Sequence, residues 1–283
     1  MICMLVPVTA VREEGSGGTT PLTGGPFYAP VGREVAVFDA AASQGLPVML
    51  KGPTGCGKTR LVEYMAHRLG VPLFTVSCHE DMTASDLIGR YVLSGDETVW
   101  VDGPLTQAVK EGGICYLDEI VEARQDATVA IHSLADHRRE LTIERKGGVK
   151  LTAAPGFNLV VSYNPGYQSV LKDLKMSTRQ RMVSIELGFP PPDIERTIIA
   201  AEAGVDAALA EDLVRLGQAI RRVKEAGLRE VASTRTLVAA AQLISAGLPF
   251  AEAAQAAIAG PLTDDLELRD GLVAMIESYA PGA

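Results

Sequence analysis

Gly52-Pro53-Thr54-Gly55-Cys56-Gly57-Lys58-Thr59 is the stretch on which the reading of this chain turns. It follows a short apolar run, Leu46-Pro47-Val48-Met49-Leu50, and leads into a helical pattern from about Lys58 to Leu69. The eight residues match G-x-x-x-x-G-K-[ST] at every fixed position, and a strand before and a helix after give that motif its meaning. Glycines let backbone N–H groups converge on phosphate oxygens. The helix N-terminus adds a partial positive charge. Lys58 is then expected to reach the β- and γ-phosphates of ATP, and Thr59 to ligate magnesium. Gly52, Pro53, Thr54, Gly55, Cys56, Gly57, Lys58 and Thr59, with Arg60 in the first helical turn, make up the expected nucleotide-binding set.

Working outward, the pattern alternates. Pro72–Ser77, Gly113–Leu117, Phe157–Ser162 and Met182–Leu187 read as further strands, each an apolar run separated from the last by helical sequence. Continuous apolar strands of this kind predict a parallel five-stranded sheet covered on both faces. Two hairpins interrupt the rhythm: Tyr91-Val92-Leu93 with Thr98–Val101, and Leu141–Glu144 with Val149-Lys150-Leu151. Trp100, the single tryptophan, is expected to pack on the face of the first. Pro190-Pro191-Pro192 marks a boundary, because proline cannot continue a helix interior. Beyond it Leu209, Leu213, Leu216, Ile220 and Val223 recur at helical spacing, with Gly227 as a stop and Ser233 as a cap for the next helix. A last helix holds Leu272, Met275, Ile276 and Tyr279. The expected organisation is a glycine-rich tail over residues 1–26, an α/β core over 27–190 and an all-α lid over 191–283.

Ile114-Cys115-Tyr116-Leu117-Asp118-Glu119 is an apolar strand ending in two carboxylates, sixty residues after Lys58. At a strand's C-terminal edge an Asp can hold the magnesium shell. The adjacent Glu can activate an attacking water. Asn164 ends the next strand; its amide suits water orientation or γ-phosphate sensing, while Asn-Pro is also an ordinary turn signal. Arg179 and Arg181 precede the fifth strand. They cannot easily reach their own phosphate loop but can serve a neighbour's, as trans-acting arginines do. Arg235 starts a helix of the second domain and can approach phosphate from there.

Composition narrows the classes. The chain has 283 residues, 47% of them hydrophobic, which suffices for one large domain and one small one. Its net charge is −9, from 35 acidic and 26 basic side chains, and gives no support for nucleic-acid binding. The basic cluster His137-Arg138-Arg139 reads as a solvated helix end. Cys3, Cys56, Cys78 and Cys115 lack metal-site spacing and read as reduced thiols. No signal peptide or membrane span is expected, so the expected location is the cytoplasm. A small-molecule kinase would share the phosphate loop but would need neither Glu119 beside Asp118 nor an exposed trans arginine.

With these residues in place the sequence resembles AAA+ ATPases of the MoxR group, and most closely the CbbQ/NirQ/NorQ/GvpN family. The resembling stretches run over 26–41, 46–70, 77–93, 97–109, 114–124, 160–181 and 232–237, and include KGPTGCGKT, ICYLDEIVEAR, VVSYNPGYQSVLKDLKMSTRQR and ASTRTL. The glycine-rich stretch before Phe27 departs from the family pattern. The resemblance implies a magnesium-dependent ATPase working as a homo-hexameric ring with a CbbO-like partner bearing a von Willebrand factor A domain. It implies sensor 1 at Asn164, sensor 2 at Arg235 and an arginine finger at Arg179 or Arg181, both of which fit. It also implies a client. Rubisco, freed of inhibitory sugar phosphates, is the first expectation, and nitric oxide reductase, activated at metal insertion, is the alternative. No nucleic-acid or membrane partner is expected.

Overall fold

A computed structural model describes residues 25–165, 174–223 and 230–280. Residues 1–24 of the expected tail over 1–26, Cys3 and the helix stop at Gly227 lie outside these. The chain divides into two compact units. One contains Gly32–Gly52 and Lys58–Leu187; the other contains Phe27–Val31, Pro53–Gly57 and Gly188–Ala283.

Among the described residues nine strands lie in the first unit: β1 (Val48–Lys51), β2 (Leu73–Ser77), β3 (Gly89–Ser94), β4 (Glu97–Asp102), β5 (Ile114–Asp118), β6 (Glu140–Ile143), β7 (Val149–Thr152), β8 (Asn158–Tyr163) and β9 (Val183–Glu186). Five form one sheet in the order β2-β5-β8-β1-β9, every pairing parallel. The expected parallel sheet is therefore present, and its central strands are buried as such sheets require. All six residues of β8 are buried, as are Ile114, Cys115, Tyr116 and Leu117 of β5. Burial on both faces is what makes these strands continuous apolar runs rather than alternating ones.

The two hairpins are antiparallel pairs, β3–β4 and β6–β7, outside the main sheet. Trp100 packs edge-on to Tyr91, with ring centroids 5.0 Å apart, and its Nε1 donates to Asp102 at 2.7 Å. It is half-buried against the core, the packing role expected of it. The basic cluster is different from its expectation. Residues 131–138 form turns rather than a helix end. Arg139 has a left-handed backbone, φ 48°, and donates to the carbonyls of Gly45 and, at 2.7 Å, Phe157. It ties the hairpin's base to two loops, a long-range contact that local charge patterning does not reveal.

The second unit is helical. Helix Pro192–Ala203 begins at the last of the three prolines, where a missing N–H costs nothing. Helices Ala207–Arg222, Thr234–Ser245 and Leu266–Tyr279 follow. Asp206, Ser233 and Asp265 cap them, each accepting a backbone N–H of the first turn. Their core is rich in alanine: Ala210, Ala232, Ala240, Ala241, Ala254 and Ala259 are all inaccessible. At its centre sits an ion pair. Glu195, wholly buried, accepts both terminal nitrogens of Arg221 at 2.8 and 2.7 Å and the hydroxyl of Thr234 at 2.6 Å. Arg221 also donates to Ala232 O at 2.7 Å and lies 4.2 Å from the Phe189 ring centroid. No described helix is long and apolar enough to cross a membrane.

Candidate functional site

The phosphate-binding sequence occupies the turn between β1 and helix Lys58–Leu69. Gly55 and Gly57 have φ of 74° and 97°, in the left-handed region that side chains disfavour. At Gly57 a Cβ would meet nothing within 4 Å, so conformation alone demands glycine. At Gly55, space demands it too. A Cβ there would lie 2.6 Å from Ser233 Cβ and 3.4 Å from Arg235 Cβ, all three residues belonging to the second unit.

Lys58 is the first residue of its helix and is 8% exposed. Its ammonium donates to Gly52 O at 2.9 Å and to Asn164 Oδ1 at 2.5 Å. The other end of that amide, Asn164 Nδ2, donates to Glu119 Oε1 at 3.1 Å. One neutral side chain thus links the lysine to the carboxylate. This follows from strand order: β8 lies between β5, which carries Asp118, and β1, which feeds the loop. The ordinary turn role of Asn164-Pro165 is not its whole role.

Asp118 closes β5, and Glu119 follows with a left-handed backbone, φ 55° and ψ 45°. Such a conformation in a non-glycine residue costs on the order of 1–3 kcal/mol and is held by its surroundings. Here Glu119 N–H donates to Ser162 Oγ at 3.1 Å. Ser162 in turn donates to Asp118 Oδ1. Tyr116 Oη donates to the same oxygen at 2.7 Å and lies 3.4 Å from Thr59 Oγ1. Burial first, and then the Asp118 charge, push the Tyr116 phenol well above its ordinary pKa, so it remains a protonated donor. Burial, with Asp118 and Glu119 adding to it, pushes the Cys78 thiol up to about 12, so Cys78 is a neutral neighbour of the carboxylates.

Sequence reasoning counted Tyr116 among the apolar residues of its strand and did not single out Ser162. A signal existed for the first: Tyr116 stands two residues before Asp118, so both project from one face of β5. For Ser162 the link is sheet register, which pairs Leu117 with Val161 and so brings Ser162 beside Asp118. Thr59 and Asp118 offer oxygen atoms only, a donor chemistry that suits a hard divalent cation such as magnesium. Among the described residues no group of three or more His, Cys, Asp or Glu could hold a metal ion.

Arg179, Arg181 and Arg235 belong to other elements of the chain, while Arg60 follows Thr59 in the same helix. Arg179 ends the short helix Met176–Arg179, half-buried, and Arg181 is exposed in the turn before β9 and donates to Ser177 O. Between them and the interior, buried Thr178 shares a 2.6 Å hydrogen bond with His132 Nε2. Burial, then the charges of Arg181 and Lys175, hold that imidazole below its ordinary pKa. Arg60 pairs with Glu63 one turn along its own helix, at 3.2 Å. Arg235 is the second residue of helix Thr234–Ser245.

A parallel sheet of order β2-β5-β8-β1-β9, a phosphate loop after β1, Asp-Glu at the end of β5 and Asn after β8 define an AAA-type P-loop ATPase. Residues 47–182 match the family described as AAA domain (dynein-related subfamily), and 195–279 match CbbQ/NirQ/NorQ C-terminal. The chain belongs to the CbbQ/NirQ/NorQ family of AAA+ ATPases and is an ATP-hydrolysing enzyme. It is 55% identical over 260 residues to the denitrification regulatory protein NirQ of Stutzerimonas stutzeri, covering 92% of this chain and 93% of NirQ. It is 57% identical over 262 residues to protein NorQ of Paracoccus denitrificans, covering 93% and 95%. Protein CbbQ of Hydrogenophilus thermoluteolus is 53% identical over 253 residues, covering 89% and 94%.

Proposed function

We propose that this ATPase is magnesium-dependent and works as the motor subunit of a homo-hexameric ring that remodels a client protein in the cytoplasm. The observation that carries the catalytic half is the hydrogen-bonded line Lys58–Asn164–Glu119, with Asp118 adjacent to Glu119. Lys58 would leave Gly52 O for the β- and γ-phosphates, while the left-handed glycines turn backbone N–H groups toward them. Thr59 and Asp118 would hold magnesium, which when bound neutralises charge on the phosphates. Glu119 would take the proton of the attacking water, and Asn164 would orient that water. Arg235, near the loop residue Gly55 of the same unit, would bear on the phosphates.

The exposure of Arg181, in the turn before β9, supports a role in a neighbouring subunit's site. On mixing, a chain carrying Arg181→Ala or Arg179→Ala should restore part of the ATP turnover of a Lys58→Ala chain, because each supplies what the other lacks. Two inactive preparations that stay inactive in every ratio would refute the shared site.

The client we propose is inhibited Rubisco, reached through a partner with a von Willebrand factor A domain; the relative named CbbQ supports this. A second reading, activation of nitric oxide reductase, is supported by the relatives named NirQ and NorQ. The test is a trap. Glu119→Gln would be recovered from its native host beside Lys58→Ala, and co-purifying proteins identified by mass spectrometry. Rubisco with the partner, enriched only in the trap, is the expected result. Nitric oxide reductase subunits in their place would transfer the motor to the second client.

A further inference from the structure

The fully buried Tyr116 is half a turn of chemistry away from being an ordinary core residue: a phenylalanine would fill the same space. Its hydroxyl, however, is placed between the two side chains that the ATPase reading assigns to magnesium. Oη donates to Asp118 Oδ1 at 2.7 Å and stands 3.4 Å from Thr59 Oγ1. Ser162 donates to the same Asp118 oxygen and accepts the Glu119 N–H at 3.1 Å. Two donors on one carboxylate oxygen fix its rotation about the terminal torsion, which is otherwise broad. They also satisfy that oxygen, so that the carboxylate keeps its orientation without a cation.

We propose that Tyr116 is a positioning residue for the magnesium site, its hydroxyl holding Asp118 at a set distance from Thr59 before the cation arrives, with Ser162 as the second holder. The inference rests on the reading of Thr59 and Asp118 as the magnesium-binding pair. Pre-set ligands bind metal more tightly because less ordering remains to be done on binding. Partners that orient metal ligands typically account for about 10- to 100-fold in metal affinity.

The test is binding, without turnover. A fluorescent ATP analogue is titrated onto the full-length chain in EDTA and then over a range of magnesium concentrations. Tyr116→Phe should need about tenfold more magnesium for half-maximal tight binding, and Tyr116→Phe with Ser162→Ala up to about a hundredfold more. Analogue affinity in EDTA should stay at the parent value in both, a split that a merely loosened fold would not produce. Circular dichroism spectra that overlay on the parent's would show the variants folded, and Ser162→Ala alone gives a second, smaller lesion in the same direction. If Tyr116→Phe and the double variant saturate at the parent's magnesium concentration, the positioning role is wrong while the ATPase reading stands. If the parent binds the analogue neither with nor without magnesium, both fall together.

Discussion

Glu119→Gln is expected to hydrolyse ATP about a hundredfold to ten-thousandfold more slowly than the parent while still binding it, the range that loss of a positioned general base produces. Glutamine keeps the side chain's length and shape. Its carbonyl can still accept from Asn164 Nδ2, and the Glu119 N–H can still reach Ser162, so the strained turn after β5 is preserved. What is lost is the capacity to take a proton. Phosphate release at saturating ATP, read beside binding of a fluorescent ATP analogue, separates the two properties. Lys58→Ala is the contrasting variant, expected to lose binding itself, since the ammonium and its links to Gly52 and Asn164 disappear together. Near-parent turnover in Glu119→Gln would remove Glu119 from the chemistry.

Arg221→Ala is expected to destabilise the helical unit by about 3–5 kcal/mol, the usual consequence of leaving a buried charge without its partner. Glu195 has no exposed surface, and Arg221 and Thr234 donate three hydrogen bonds to its carboxylate. Removing the guanidinium also frees Ala232 O and uncovers the Phe189 ring. Helices Pro192–Ala203, Ala207–Arg222 and Thr234–Ser245 all meet at this pair, so the whole unit should feel the loss. Urea unfolding followed by circular dichroism would show it as a lowered midpoint. Replacing both partners at once, Glu195→Leu with Arg221→Met, should recover most of the stability, because no charge is then stranded. A midpoint for Arg221→Ala close to the parent's would mean that water reaches Glu195.

The two lesions differ in how visible their sites are in sequence. Glu119 announces itself: it adjoins Asp118 at the end of an apolar run, at a distance from Lys58 that suits an α/β core. Glu195 and Arg221 do not. Each looks like one more charged residue on a polar helix face, and their separation of 26 residues carries no periodic signal. Arg139 is similar. Flanking charges made it read as a solvated end, yet it reaches the carbonyl of Gly45, 94 residues away.

The sequence by itself determined what is local. Eight consecutive residues specify the phosphate loop, because its function needs backbone conformations that only glycines adopt readily and a lysine at a fixed offset. Apolar runs specify five strands and their parallel class, because burial on both faces removes alternation from the central ones, while β2 and β9 at the edges are partly exposed. The three prolines and the cap at Ser233 specify where the helical unit and one of its helices begin. Only the tertiary structure decided who meets whom. The order β2-β5-β8-β1-β9 sets Asn164 between Lys58 and Glu119, and sheet register sets Ser162 against Asp118. The same packing turns Tyr116 from a core residue into a donor beside Thr59. The physical reason is that hydrophobic periodicity encodes which face of a strand is buried but not which strand lies beside it. Neighbours in the sheet are chosen by the packing of the whole domain.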